Sequence, residues 1–453
     1  MFEVSQIIQA TAGKLIRGEL GLRIKGISID TRTIKPGEAF VAIKGDNFDG
    51  HNFIKQAVKK GASCIIKESR VKKPLPAHAA CVEVKDTLRS LGDLARFQRQ
   101  KYDIPVIAVT GSNGKTTTKE MIAWVLAKNY KVLKNEGTKN NHIGVPMTLL
   151  GLDGSYKFAV LEIGTNHFGE VGYLADICRP NIGVITAIGA AHLEYFRNLE
   201  GVFKEKRTLI RKLEGPYLAV LNADDHFLKR ELRSTRHKNF TLGFGMKEES
   251  DFFANEVKSG LGVTEFLVNA KYSFTLKTAG CYNIYNALAA VALGRIFGMG
   301  YKDISSRLSA FEFPRGRLKL IQSKNLRFLD DTYNANPSSF AGALETLRGF
   351  RVKGRKILVM ADMLELGPDK EEFHAQLGRQ AAEVCDVLIA VGALSGLAAR
   401  AAQAAGLPGS SIFVCKSCAG ARSVLLNELS TGKDDIILVK GSRLMKMEEV
   451  FNF

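Results

Sequence analysis

The densest run of chemistry-bearing residues is Val109–Met121, VTGSNGKTTTKEM, where the apolar stretch Ile104–Val109 gives way to a helical pattern. A Gly-Lys-Thr step between a strand and a helix can cradle phosphate. Backbone N–H groups at the helix start point at the anion, Lys115 neutralises its oxygens and Thr116 can ligate Mg²⁺. The spacing departs from the usual loop, whose first glycine would fall at Val109; here the glycine is Gly111, and a glycine turn capping a helix is the plain alternative. Glu162 ends the apolar run FAVLE, a costly place for a carboxylate unless it is paired, metal-bound, capping or solvated. His192 follows the next strand-like run, and a lone histidine is ordinarily a satisfied structural residue. Lys204 and Lys206 lie in KEKRTLIRK, which composition alone reads as a solvated basic helix. Asn283 and Asn286, three apart in CYNIYNALAA, share a helix face and offer the donor and acceptor an adenine edge needs, although Asn283 would equally cap the helix start. Arg317 reads as a linker arginine, Asp331 follows the run LRFLD, and Asn334 and Asn336 fit an Asn-Pro turn in TYNANP.

These residues need a scaffold to bring them together. From 104 to 314, the apolar runs IPVIAVT, FAVLEIGT, NIGVITAIG and YLAVLNADD alternate with helical segments, the pattern of a parallel sheet covered on both faces. The alternation restarts from 315 to 453 with LRFLDDT, RKILVMADM, DVLIAVG, SIFVCK and DIILVKGS, giving a second parallel sheet. Residues 1–103 hold shorter runs (LRIKGISID, EAFVAIKG, ASCIIKE, ACVEV) and one helical pattern, HNFIKQAVKKGA, without a nucleotide loop, which suits substrate recognition. The expected fold is therefore α/β in three domains. Ligands of open parallel sheets bind beyond the carboxyl ends of the strands. Gly111–Thr116, Glu162–His167, His192 and Asp331–Asn336 all follow strand-like runs, so one cleft is expected to collect them.

A chain of 453 residues fits about three domains. No apolar run approaches the ~20 residues of a spanning helix, and the start MFEVSQIIQATAGKL lacks a basic region followed by a long apolar core. No membrane insertion and a cytoplasmic location are expected. Seven cysteines, an odd and scattered set, fit a reducing compartment; CKSC at 415–418 has no second CxxC and reads as chance spacing. The net charge of +18 favours partners carrying phosphates and carboxylates. The basic runs at 59–60, 70–73, 204–212 and 229–238 are dispersed and lack interleaved aromatics, so nucleic acid is not the expected partner.

TGSNGKTTT resembles the ATP loop of the Mur ligases and folylpolyglutamate synthetases. SIDTRTIKPGEAFVAIKGDNFDGHNF, NNHIGVPMTLL, LEIGTNHFGE, AHLEYF, NIYNALAA, FPRGRL and DMLELG extend the resemblance to Mur ligases nearly end to end, and LDDTYNANPSS and LVKGSR are similar to the branch that adds D-alanyl-D-alanine to UDP-N-acetylmuramoyl-tripeptide. The resemblance implies a UDP-substrate-binding domain, a central ATPase domain and a Rossmann-like C-terminal domain. It also implies an ATP-dependent amide ligase working through an acyl phosphate. By the same token Gly111, Ser112, Asn113, Gly114, Lys115, Thr116 and Thr117 hold ATP, and Thr116, Glu162, His192 and Lys206 hold two Mg²⁺ ions, with Lys206 carbamylated by CO₂; the family register selects Lys206 over Lys204. Lys115, His192, Lys206 and Arg317 are the implied catalytic set, Arg317 reaching the γ-phosphate when the third domain swings in. Asp331 is implied at the ribose. Asn283 and Asn286 are implied near the base, with Tyr282 in place of the family's usual histidine. Substrate contacts are implied at Ser28, Asp30, Thr31, Arg32, Asn140, Asn141, Asn166, His167, Asn334 and Asn336. A monomer is expected. Another amino-acid ligase on the same scaffold is opposed by the SIDTRTIKPGEAFVAIKG block, and a non-catalytic Mur-like binding module by the presence of Lys115, Glu162, His192 and Lys206.

Overall fold

The computed structural model describes residues 2–45, 47–71, 78–235, 240–260 and 262–452; parts of the basic runs at 70–73 and 229–238 lie outside them. The central sheet has nine strands in the order Tyr272–Leu276, Thr264–Val268, Phe252–Ser259, Phe240–Gly245, Leu218–Asn222, Ile182–Ile185, Val106–Thr110, Phe158–Glu162, Val132–Lys134. Neighbours from Val132–Lys134 to Phe252–Ser259 are parallel, and the last three strands form an antiparallel meander. The four continuous apolar runs form the middle of the parallel part. The meander was not legible as strand because its residues alternate buried and exposed, as in TEFLV and YSFTL, as expected where one face of an antiparallel sheet meets solvent.

Helix Tyr282–Ile296 is buried nearly all round and packs beside helix Lys115–Leu126 in the largest core cluster. An apolar helix without a polar face belongs in a core. Because it carries Asn283 and Asn286 at its start, this packing also sets them beside the phosphate loop.

The C-terminal sheet runs Lys319–Ser323, Leu326–Asp331, Ile436–Lys440, Lys356–Ala361, Val387–Val391, Ile412–Cys415. The five apolar runs of this block form its parallel part; Lys319–Ser323 adds an antiparallel edge. In the N-terminal block a five-stranded sheet runs Lys14–Arg17, Ala80–Val84, Cys64–Glu68, Ala39–Val41, Ile27–Ser28. LRIKGISID breaks at Lys25 and Gly26: Arg23–Ile24 pairs with Phe2–Glu3, and Ile27–Ser28 joins the larger sheet.

Among its described residues this block holds three helices of six or more residues, Val4–Thr11, Ile54–Lys59 and Thr87–Gln100, where one helical pattern was expected. Thr87–Gln100 starts at Asp86, whose carboxylate accepts from Leu88 and Arg89 N–H at 2.8 and 3.0 Å. Its buried stripe Leu91, Leu94, Ala95, Gln98 has helical spacing, but polar Gln98 and Arg99 interrupt the apolar signal. Both serve carbonyls of the adjoining segments: Gln98 donates to Leu152 O at 2.7 Å, and Arg99 to Cys178 O at 3.1 Å, Tyr102 O at 2.6 Å and Ile104 O at 3.1 Å. The helix therefore ties the N-terminal sheet to the central one.

Candidate active site

A cleft of about 770 Å³ opens beyond the carboxyl ends of the central strands and is closed on its other side by the C-terminal block. Residues 112–117 form its floor. Behind them Gly111 has φ 149°, and a Cβ there would stand 1.9 Å from Thr186 Oγ1; Gly114 has φ 81°, and its Cβ would stand 2.5 Å from Asn286 Oδ1. Only glycine meets both demands. Helix Lys115–Leu126 begins at Gly114, so its free N–H groups face the cleft. Lys115 Nζ donates to Gly111 O at 2.8 Å and Ser112 O at 3.4 Å, which curls the ammonium over the loop. Burial lowers its pKa, with Glu162 opposing the shift and Arg317 adding to it, so these three charges are neighbours.

Glu162 is 1% exposed at the end of its strand. Its Oε1 accepts from Asn140 Nδ2 at 2.7 Å, while Oε2 is buried without a hydrogen bond. Among the described residues no group of three or more His, Cys, Asp and Glu side chains could hold a metal. A hard cation at Glu162 would therefore need oxygen ligands of other kinds: a hydroxyl such as Thr116, phosphate oxygens, or a modified lysine. The orphaned Oε2 fits such a cation.

Lys206 fits the modified lysine. On helix Leu199–Arg211, Lys204 is exposed and Lys206 is 2% exposed. Burial, reinforced by the Lys115 charge and opposed by Glu205, holds the Lys206 pKa well below the usual lysine range. A neutral amine is the form that adds CO₂, and the resulting carbamate is an anionic oxygen donor. His192, in the left-handed region at φ 54°, lines the cleft; its Nδ1 is 2.6 Å from Glu365 Oε2 of the C-terminal block, leaving Nε2 as its other ligating atom. That bond holds the Glu365 carboxyl below its usual pKa.

The C-terminal block already stands against the phosphate loop. Arg317 Nη2 donates to Thr116 Oγ1 at 3.2 Å, with its guanidinium 3.9 Å from the Tyr333 ring centroid. Asn113 donates to Ser338 Oγ at 2.8 Å and accepts from Asn336 Nδ2 at 2.9 Å. Arg317 thus stands against the loop in a closed arrangement of the third block, the arrangement in which it was expected to reach the γ-phosphate. Asn336 is also the N-cap of helix Pro337–Gly349, accepting from Ser339 N–H at 2.8 Å. Asp331 pairs with the buried Lys440 at 2.5 Å; Lys440 also donates to Asn334 O at 3.0 Å, and Asn334 Oδ1 accepts from Ala335 and Arg443 N–H at 2.9 and 3.3 Å.

Asn283 and Asn286 line the cleft but are bonded internally: Asn286 Nδ2 donates to Asn283 Oδ1 at 2.9 Å, Asn283 Nδ2 to Thr278 Oγ1 at 3.0 Å, and Thr118 Oγ1 to Asn286 Oδ1 at 2.9 Å. These bonds lock two helices at the loop and leave one lone pair on each carbonyl. Asn140 and Asn166 line the cleft, whereas Asn141 caps the helix Gly144–Leu150 and His167 packs its ring 4.2 Å from that of Tyr195. Ser28, Asp30, Thr31 and Arg32 lie off the cleft in the N-terminal block. There Arg32 pairs with Asp30 at 2.7 Å, lowering the aspartate pKa to about 2, Ser28 Oγ donates to Asp30 O at 3.2 Å and Thr31 Oγ1 to Gln56 Oε1 at 3.0 Å.

Asp224, Tyr285, Ser338, Glu365 and Lys440 carry no role in the sequence reading. All but Glu365 line the cleft, where the Tyr285 hydroxyl donates to Asp224 Oδ2 at 3.0 Å. Lys440 ends the run IILVK as Glu162 ends FAVLE, so the rule that singles out a charge at an apolar strand end also reaches it. Glu365 lies within the motif DMLELG, but its part in the site shows only in the inter-domain contact with His192.

Three family profiles match in chain order: "Mur ligase family, catalytic domain" over 23–99, "Mur ligase middle domain" over 109–294 and "Mur ligase, glutamate ligase domain" over 316–443. The chain is 36% identical to the UDP-N-acetylmuramoyl-tripeptide–D-alanyl-D-alanine ligase of Escherichia coli over 96% of its own length and 95% of that protein. Among solved structures, it superposes on MurF from Acinetobacter baumannii with a TM-score of 0.90 at 34% identity, covering 100% of this chain and 98% of that one. MurF ligase from Thermotoga maritima in complex with ADP gives 0.84 at 27% identity, with 95% and 97% covered. With the phosphate loop, the strand-end carboxylate and the closing third block all inside the matched segments, and the relatives matched over nearly their whole length, the chain belongs to the Mur ligase family.

Proposed function

We propose that the protein is an ATP-dependent ligase joining D-alanyl-D-alanine to UDP-N-acetylmuramoyl-tripeptide, with release of ADP and phosphate. The observation that carries the reading is the meeting of Lys115, Thr116 and Arg317 in one cleft with the orphaned Glu162 oxygen. In this reading residues 104–314 handle ATP, residues 1–103 hold the UDP-substrate through Ser28, Asp30, Thr31 and Arg32, and residues 315–453 close over both and receive the dipeptide near Asn334 and Asn336. Asn140, Asn141, Asn166 and His167 are assigned to the peptide side, Asn283 and Asn286 to the base, and Asp331 to the ribose.

The tripeptide carboxylate attacks the γ-phosphorus, the bond to the β-phosphate oxygen breaks, and ADP leaves. The dipeptide amine, after losing a proton, then attacks the acyl carbon, and the C–O bond to phosphate breaks. The first step brings two anions together and the second builds negative charge on the leaving phosphate, so the chain's contribution is charge and position. Lys115 leaves its loop carbonyls for the β- and γ-oxygens. Arg317, stacked on Tyr333, presents its guanidinium to the same oxygens. The closed C-terminal block excludes water, which would otherwise hydrolyse the acyl phosphate. Two Mg²⁺ ions on Thr116, Glu162, His192 and carbamylated Lys206 would supply further positive charge to the phosphate oxygens. The net charge of +18 suits such anionic substrates. Among the described residues no helix is long and apolar enough to cross a membrane; we assign the reaction to the cytoplasm and to a monomer.

The test is phosphate release from ATP with a panel of UDP-muramoyl-peptides, with and without D-alanyl-D-alanine. Product should require both the UDP-tripeptide and the dipeptide. Faster phosphate release with L-glutamate or a folate would overturn the reading.

A further inference from the structure

Lys119 is a fully buried lysine one helical turn beyond Lys115. An ammonium is tolerated there only if its donors are used, and they are: it reaches Asn135 O at 2.5 Å, Gly137 O at 3.1 Å and Glu120 Oε1 at 2.8 Å. Glu120 in turn pairs with Lys134. One side chain thus joins the helix of the phosphate loop to the segment following strand Val132–Lys134.

That segment is the clamp on Glu162. Asn135, itself without exposure, accepts from Glu162 N–H at 2.9 Å and donates to Glu162 O at 3.0 Å, bracketing the residue at its main chain. Asn140 donates to the carboxylate at 2.7 Å, and its carbonyl accepts from Gly164 N–H at 2.9 Å. Residues 135–140 belong to no helix or strand, and Gly137 turns them at φ 52°. This stretch has no ladder or helical bonds, only the turn bonds within it from Lys139 N–H to Glu136 O at 3.1 Å and Asn140 N–H to Thr138 O at 2.7 Å, so side chains supply the rest of its anchoring. Lys119 holds two of its carbonyls.

We propose that Lys119 is a positioning residue of the ligase: it holds segment 135–140, and through Asn135 and Asn140 the Glu162 carboxylate, in register with the helix start that carries Lys115 and Thr116. The inference rests on the proposed function, in which Glu162 meets a cation. Partners that orient a ligating group ordinarily change metal affinity or activity ~10–100-fold when removed.

The experiment uses the full chain with Lys119→Met and Lys119→Gln. It reads Mn²⁺ binding to the ADP-loaded protein by electron paramagnetic resonance, ADP affinity without metal, melting temperature, and the Mg²⁺ concentration for half-maximal ligation. For Lys119→Met, Mn²⁺ affinity should fall ~10–100-fold and the Mg²⁺ requirement rise by a similar factor, while metal-free ADP affinity stays within about threefold because the phosphate loop keeps its own bonds. Lys119→Gln retains two N–H donors, should fall between, and carries the test if the methionine variant does not fold. A folded variant with wild-type Mn²⁺ affinity and only a lower melting temperature would overturn the proposal, leaving Lys119 a stability element. Wild-type protein that neither binds Mn²⁺ with ADP nor turns over would overturn the functional reading and this inference with it.

Discussion

Lys204 and Lys206 show how little residue type decides by itself. They are two apart on one helix and chemically identical, yet one is exposed and the other nearly sealed beside the Lys115 charge. Burial favours the neutral amine, and only that form can add CO₂ to become an oxygen ligand. If Lys206 is the ligand proposed above, Lys206→Ala is expected to lower ligation at least ~100-fold, since it would remove a ligand as well as its orientation. A short carboxylic acid in the buffer should restore part of the activity by entering the vacated space. Lys204→Ala should stay within about twofold, as exposed substitutions ordinarily do. Steady-state rates for the two variants, with and without acetate, check this; equal losses in both would show that the helix register carries no chemistry.

Among elements, helix Lys370–Ala382 buries His374 with no exposure, and the ring is fixed as one neutral tautomer. Nε2 accepts from Met363 N–H at 2.9 Å and Nδ1 donates to Lys370 O at 2.6 Å. Burial lowers its pKa below the ordinary 6.5. Protonation would break the Met363 bond and charge a sealed site. Because the unfolded chain binds this proton more readily, the unfolded state gains stability as pH falls below about 6.5. The histidine's contribution is thus fully present above that pH and is lost progressively down to the depressed folded pKa, with a slope of at most ~1.4 kcal/mol per pH unit. Chemical denaturation between pH 7.5 and 5 should show this loss, and His374→Gln should flatten it. An unchanged slope would place the acid sensitivity in other groups.

In the whole molecule, contacts that bridge the central and C-terminal blocks at the cleft include Arg317 with Thr116, Asn113 with Asn336 and Ser338, and His192 with Glu365. These three are polar and lie at the phosphate-loop end, so in the proposed function closure of the third block completes the site. In the proposed function Arg317 adds charge where negative charge accumulates in the transition state, whereas ADP lacks the phosphate it would meet. Arg317→Ala is expected to lower turnover ~100-fold or more while changing ADP affinity by less than about threefold. Turnover assays and calorimetric ADP titration check the split. Equal losses would make Arg317 an ordinary ground-state contact.

Continuous apolar runs made the parallel sheets legible, because a strand buried on both faces has no polar register to hide in; the phosphate loop was legible because glycine, lysine and threonine must be contiguous to cradle an anion. Family resemblance, carried by motifs of fixed spacing, reached Glu162, His192, Lys206 and Arg317. What needed tertiary structure was any property belonging to two distant segments at once. The antiparallel meander and helix Thr87–Gln100 were hidden because their polar positions satisfy solvent or neighbouring carbonyls and so break the apolar pattern. Lys119 reads as one more basic residue in TKEM until the fold brings the carbonyls of Asn135 and Gly137 to it. The orphaned oxygen of Glu162 and the bond from Glu365 to His192 exist only once separate strands and domains meet, since burial and hydrogen-bond satisfaction depend on the assembled neighbourhood and not on the residue.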